Sequence, residues 1–130
     1  MLSKFTPMPT IPTADIDRAR EFYEKTLGLT DAVQEMEGEG FFYTCGASGF
    51  LLYPSQFAGT NRATAMAFQV EGDAFDAEVT GLREAGVTFV TFELWEGAHW
   101  DDGVAMMDGG KGVWFHDPDG NIINVMNMPA

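Results

Sequence analysis

Alternation of side-chain character along the chain is clearest near its end. In residues 122–128, Ile122, Asn124, Met126 and Met128 would face one side of a sheet, and Ile123, Val125 and Asn127 the other. The run before it contains Val113, Trp114 and Phe115. Between the two lies Asp117-Pro118-Asp119-Gly120, a type I turn signal. Its Asp can bond back to the backbone, its Pro presets φ, and its Gly tolerates the exit. The pattern predicts a closing hairpin with an amide set into an otherwise apolar face.

Earlier in the chain the apolar spacing changes period. Ala19, Phe22, Tyr23 and Leu27 lie along one helical face, with Asp15 as N-cap and Gly28 as the stop. A second helix is expected over about 75–85, with Ala77, Val79, Leu82 and Ala85 apolar and Gly86 ending it. Extended runs are expected over 29–36, 40–45, 50–54, 64–70, 87–92, 104–107 and 112–115. Glu37-Gly38-Glu39 separates the first two of these runs, and Gly46-Ala47-Ser48-Gly49 reads as a hairpin. Residues 5–13 are β-forming but carry Pro7, Pro9 and Pro12, which predicts a short or edge strand. Residues 93–103 read as a longer loop or irregular strand edge.

The punctuation repeats. Asp15 precedes Gly28 by 13 residues, Asp73 precedes Gly86 by 13, and Ala19 and Ala77 share one offset. The expected organisation is a single domain over 1–130 made of two repeats, about 1–62 and 63–130.

Composition narrows the class. The 130 residues are 45% hydrophobic, enough for one folded core. Seven basic residues against 20 acidic ones give a net charge of −13, which argues against nucleic acid and anionic lipid as partners. No apolar run approaches a membrane span or the core of a signal peptide, and the lone Cys45 argues for no disulfide, so a cytoplasmic location is expected.

Two stretches carry a family resemblance. Residues 14–29, ADIDRAREFYEKTLGL, and residues 115–125, FHDPDGNIINV, resemble the first-helix and last-strand signatures of the vicinal oxygen chelate superfamily. That superfamily contains glyoxalase I, bleomycin resistance proteins and extradiol dioxygenases. The resemblance implies an α+β fold of two βαβββ modules forming an open cup-shaped mixed sheet with helices packed outside, commonly as a homodimer. It also implies three metal-ligand positions, which fall here on Met8, Ala65 and Asn124. A thioether, a methyl and a neutral amide are a poor set for a hard or borderline divalent ion, so no metal and no cofactor are expected.

The expected ligand-binding residues are Met8, Tyr43, Tyr53, Trp95, Trp100, Asn124 and Met126. His99 and His116 are the only histidines, and with Glu93 they are the candidates for acid–base chemistry. Three functions stay open on these residues. One is a metal-free, bleomycin-resistance-like protein that binds a small apolar or aromatic molecule. Another is an enzyme of the same superfamily, of lyase, isomerase or dioxygenase type, using His99, His116 or an unconventional metal site such as His116, Glu93 and Asn124. The last is a non-catalytic interaction module.

Overall fold

The computed structural model describes residues 1–34 and 40–128. The chain divides into two units, Met1–Thr60 and Asn61–Ala130. The first contains β1 (Thr10–Thr13), α1 (Ile16–Glu21), β2 (Ala32–Gln34), β3 (Phe41–Cys45) and β4 (Ser48–Pro54). Its sheet runs β1-β4-β3-β2, with β1 parallel to β4 and the other pairs antiparallel. The proline-bearing β1 is an edge strand, where missing ladder donors cost least.

Asp15 caps α1 as expected, its carboxylate accepting from the Arg18 amide at 3.1 Å. The helix then widens into a π-helical turn over Phe22–Thr26 and closes at Leu27, whose N–H bonds Phe22 O at 2.9 Å. Gly28 and Gly86 follow the two helices at φ 75° and 89°, the left-handed conformation that lets a chain leave a helix. In the first core, Tyr23 on the helix meets Tyr43 and Phe50, whose rings stack 5.3 Å apart across β3 and β4. Tyr23, Tyr43, Phe50 and Leu52 are fully buried or nearly so.

The second unit contains β5 (Thr64–Gln69), α2 (Ala74–Glu84), β6 (His99–Asp101), β7 (Val104–Met107), β8 (Gly110–His116) and β9 (Ile122–Asn127). Its sheet runs β5-β9-β8-β7-β6, with β5 parallel to β9. The two units therefore repeat one plan, in which strand, helix and an antiparallel meander bring the last strand alongside the first. The helix-side face carries Val113, Phe115, Ile123 and Val125, all buried. Lys111 Nζ to Asp76 Oδ1 at 3.2 Å and Asn127 Nδ2 to Gly72 O at 2.6 Å tie the start of α2 to that face.

One sequence expectation needs correction and another is narrowed. Residues 87–92 form no strand; a single bond from Val90 N to Trp114 O at 2.8 Å lays them beside β8 where β7 has ended. Of the two forms expected over 93–103, a longer loop or an irregular strand edge, the stretch contains the edge strand β6, which pairs with β7 through Trp100 and Ala105. Short β-forming runs are decided by which neighbour still has free backbone groups, and local sequence does not show that. Within the run expected over 29–36, Ala32–Gln34 form β2; residues 35 and 36 and the break at Glu37-Gly38-Glu39 lie outside the described residues.

Candidate functional site

The closing turn sets the register of everything around it. Asp117 Oδ1 accepts from the amides of Asp119 and Asn121, both at 2.9 Å, and its Oδ2 accepts from Asn121 Nδ2 at 2.8 Å. Gly120 N closes the turn on Asp117 O at 3.0 Å. With Asp117 and Asn121 buried, this network fixes the β8–β9 pairing, and Trp114 comes to stand directly opposite Asn124.

Opposite residues on neighbouring strands share a face. Trp114, Asn124, Gly112 and Met126 therefore lie together on the face turned away from the helix-side core. A Cβ on Gly112 would come within 3.1–3.2 Å of the Trp114 ring and 3.3 Å of Met107 Cε. The missing side chain is the seat on which the indole rests. Trp100, on the same face through its pairing with Ala105, and Phe92 complete an aromatic group. Phe92 and Trp114 are 4.9 Å apart at 86°, Phe92 and Trp100 5.3 Å at 89°, and Trp100 and Trp114 6.0 Å at 81°. The Trp100 indole N–H donates to Phe92 O at 2.9 Å, which holds the loop residue in place. None of the three rings is buried, and Phe92 is 45% exposed.

Asn124 itself is 2% exposed, and its amide nitrogen donates to Val113 O at 3.0 Å. It clips β9 to β8. Met126 is half-buried two residues further along that face. In the first unit, Met8 is 49% exposed and lines a cavity of about 410 Å³ with Thr6, Pro7, Phe42, Thr44 and the Gly46–Gly49 hairpin. Tyr53, on the same face as Phe42 and Leu51, is half-buried.

Other expected site residues go elsewhere. Tyr43 points into the first unit's helix-side core with 0% exposure, and its hydroxyl donates to Glu24 Oε2 at 3.0 Å. It is tied into that core because β3 alternates and Tyr43 falls on the side facing α1. Burial and then the hydrogen bond to Glu24 push the Tyr43 phenol up to about 12. Burial alone would raise the Glu24 carboxyl, but the hydrogen bonds from Arg20 and Tyr43 outweigh it and hold the group below its ordinary value. Trp95 is 56% exposed in the loop before β6 and is not one of the three clustered rings.

The histidines are both exposed. His116 Nδ1 lies 3.2 Å from Gly120 O, so this ring is tied to the turn. His99 and Asp101 share one side of β6, opposite to that of Trp100. Glu93 is exposed, and Cys45 is half-buried with its thiol pushed up by burial, the reverse of an activated nucleophile. Phe92, Trp114 and Gly112 are absent from the ligand set expected from sequence. The signal was present, since a four-residue turn after His116 fixes which β8 residue faces Asn124.

The chain matches a family model over residues 7–125, that of the Glyoxalase/Bleomycin resistance protein/Dioxygenase superfamily. The chain belongs to this superfamily. Solved members share its fold at low identity. A lactoylglutathione lyase from Agrobacterium tumefaciens aligns with TM-score 0.67 and 21% identity, covering 94% of this chain and 92% of that one. A mutant of the genomically encoded fosfomycin resistance protein FosX from Listeria monocytogenes, complexed with Mn(II) and 1S,2S-dihydroxypropylphosphonic acid, aligns with TM-score 0.70 and 14% identity, covering 99% and 93%. FosX from Mesorhizobium loti gives 0.64 and 15%, covering 97% and 93%. No curated protein matches the chain in sequence.

The superfamily resemblance implies a metal, and the residues at the implied positions do not fit one. Met8 offers a soft thioether, Ala65 no donor, and Asn124 a neutral amide whose nitrogen is already bonded to Val113 O. Among the described residues, no group of three or more His, Cys, Asp or Glu is placed to hold an ion. No helix among them is long and apolar enough to cross a membrane.

Proposed function

We propose that this superfamily member is a metal-free small-molecule-binding protein whose ligand, apolar or aromatic in part, rests on the aromatic face of the second unit. The observation that carries this reading is Trp114, seated on Gly112, opposite Asn124, meeting Phe92 and Trp100 edge to face while all three rings keep contact with solvent. Exposed aromatic patches favour contact with a ligand or partner. Asn124 contributes a held strand pairing and Met126 an adaptable apolar neighbour. The cavity beside Met8 is an apolar recess in the first unit.

Acid–base catalysis by His99 or His116 receives less support. His116 is bonded to its own turn, and β6 alternation turns His99 away from the face that holds the aromatic rings. A cytoplasmic homodimer is the setting we infer, and sedimentation tests its oligomeric part.

The experiment is a calorimetric and fluorescence titration of wild type and Trp114→Leu against a library of aromatic and aliphatic small molecules, with Mn²⁺ and Zn²⁺ titrated separately. Wild type should bind a subset with tryptophan quenching, and Trp114→Leu should lose at least about tenfold in affinity for that subset. Tight binding of one divalent ion per chain would overturn the metal-free reading.

A further inference from the structure

The three rings of the second unit are arranged as a corner. Their planes meet pairwise at 89°, 86° and 81°, with centroids 4.9–6.0 Å apart. Each ring face carries the negative part of an aromatic quadrupole; in edge-to-face contacts part of that density meets a neighbour's edge, and the faces left in contact with solvent are what this group offers a cation. The polar edge of one ring is withdrawn: the only N–H on the Trp100 indole is spent on Phe92 O. A group entering past that ring finds π density in place of a hydrogen-bond donor.

The surrounding charge has the same sign. Residues 61–130 include twelve Asp or Glu against three basic residues. Two of those three are committed: Lys111 to Asp76 at 3.2 Å, and Arg83 to Asp102 at 3.6 Å and over the Phe89 ring. Glu93, exposed, follows Phe92 in sequence. A negative field of this kind raises the local concentration of cations and repels anionic ligands.

We propose that the ligand class of this site is the fully alkylated organic cation, a quaternary ammonium or sulfonium group held by Phe92, Trp100 and Trp114. This rests on the reading of the aromatic face as the ligand site. Alkylated cations lose little hydration on entering an aromatic corner and need no hydrogen-bond acceptor, whereas a primary ammonium gives up three donors to water. Gly112 positions one wall, because the Trp114 indole occupies the space its side chain would take.

Three probes decide it: choline, its size-matched neutral carbon isostere 3,3-dimethylbutan-1-ol, and ethanolamine, which keeps the charge without the methyl groups. Each is titrated into wild type by tryptophan fluorescence and ligand-methyl or methylene NMR. Choline should bind at least about tenfold more tightly than either competitor, and its affinity should fall as salt rises. Trp100→Leu and Trp114→Leu should abolish that preference, with near-ultraviolet circular dichroism and the melting temperature reporting whether each variant is folded. The isostere comparison on wild type stands even where a variant is not. Equal or tighter binding of the neutral isostere overturns the cation inference and leaves an apolar ligand site. Failure of all three to bind, with aromatic library molecules binding, overturns it in the same way. Failure of every probe and every library molecule overturns both.

Discussion

Tyr43 Oη donates to Glu24 Oε2 over 3.0 Å, joining the middle of β3 to the π-helical turn that follows α1. Arg20 reaches the same carboxylate, with Nε 2.8 Å from Glu24 Oε2, while its guanidinium lies 3.9 Å over the Phe41 ring. One acidic group thus fastens the helix to a tyrosine whose residue type had suggested a ligand contact.

Tyr43→Phe should lower stability by about 1.5 kcal/mol, the cost of a buried hydrogen bond to a charged group. The pH dependence separates this bond from simple packing. The Tyr43 phenol is raised to about 12 in the folded protein, so its contribution is fully present below the ordinary tyrosine value and is lost as pH rises toward about 12. Glu24 is lowered, so its contribution is present above the ordinary carboxyl value and is lost as pH falls through the lowered one. Melting temperatures of wild type and Tyr43→Phe should converge at high pH; parallel curves all the way to the raised phenol value of about 12 would contradict the assignment.

Asp117→Ala should cost about 2–4 kcal/mol. It strands two turn amides and the Asn121 side chain in a buried setting. Asp117→Asn keeps one carbonyl acceptor and should recover roughly half the loss. Chemical denaturation measures both; a loss below about 0.5 kcal/mol in the alanine variant would mean that the turn is held by its backbone alone.

Asn124→Glu restores the kind of carboxylate that the superfamily resemblance implies at this position. Because the site is 2% exposed and no metal-binding group of acids and imidazoles surrounds it among the described residues, the charge should be unsupported. The introduced carboxyl should titrate above its ordinary value, so the variant should be nearest wild type in stability at low pH and lose ground as pH rises toward about 8. Millimolar Mn²⁺ should not restore it. A rise in melting temperature specific to the metal-loaded variant would show that the fold still supports an ion here.

Gly112→Val tests the seat of Trp114. The added side chain occupies the space of the indole, so the ring must swing out. The coupled signal expected from two indoles 6.0 Å apart and nearly perpendicular should fade in the near-ultraviolet circular dichroism, with the far-ultraviolet spectrum retained. An unchanged near-ultraviolet spectrum would place the ring elsewhere.

His99→Ala and His116→Ala should each change stability by less than about 0.5 kcal/mol, since both rings are exposed. Neither should alter ligand affinity. Loss of a measured turnover in either variant, with binding intact, would return weight to the enzymatic alternative.

Much of the fold was legible because its punctuation is chemical. Asp15 and Gly28 each have one conformational task, and so do the residues of the Asp117–Gly120 turn, so the helices and the closing hairpin could be read directly. Strand pairing beyond the hairpins was not legible in the same way. Residues 87–92, VTFVTF, are far richer in β-formers than residues 99–101, HWD, yet only the second found an open edge on β7. The aromatic site was partly legible: Trp100, Asn124 and Met126 were expected there, but Phe92 and Trp114 needed the register. Tyr43 was misplaced for the same reason, since its side of β3 depends on where the Gly46–Gly49 hairpin sets the count.

Between Thr64 and Met66 the pairing of β5 with β9 slips: Thr64 stands beside Ile122 and Met66 beside Ile123, leaving Ala65 as the extra residue. It is Ala67 that lies beside Asn124. A histidine introduced at position 65 would therefore not be aligned with Asn124. Substitution at position 67, or deletion of one residue from the strand, would be needed first. The bulge acts as a frameshift in the sheet, making the building of a three-ligand centre here a matter of insertion and deletion as well as of exchange.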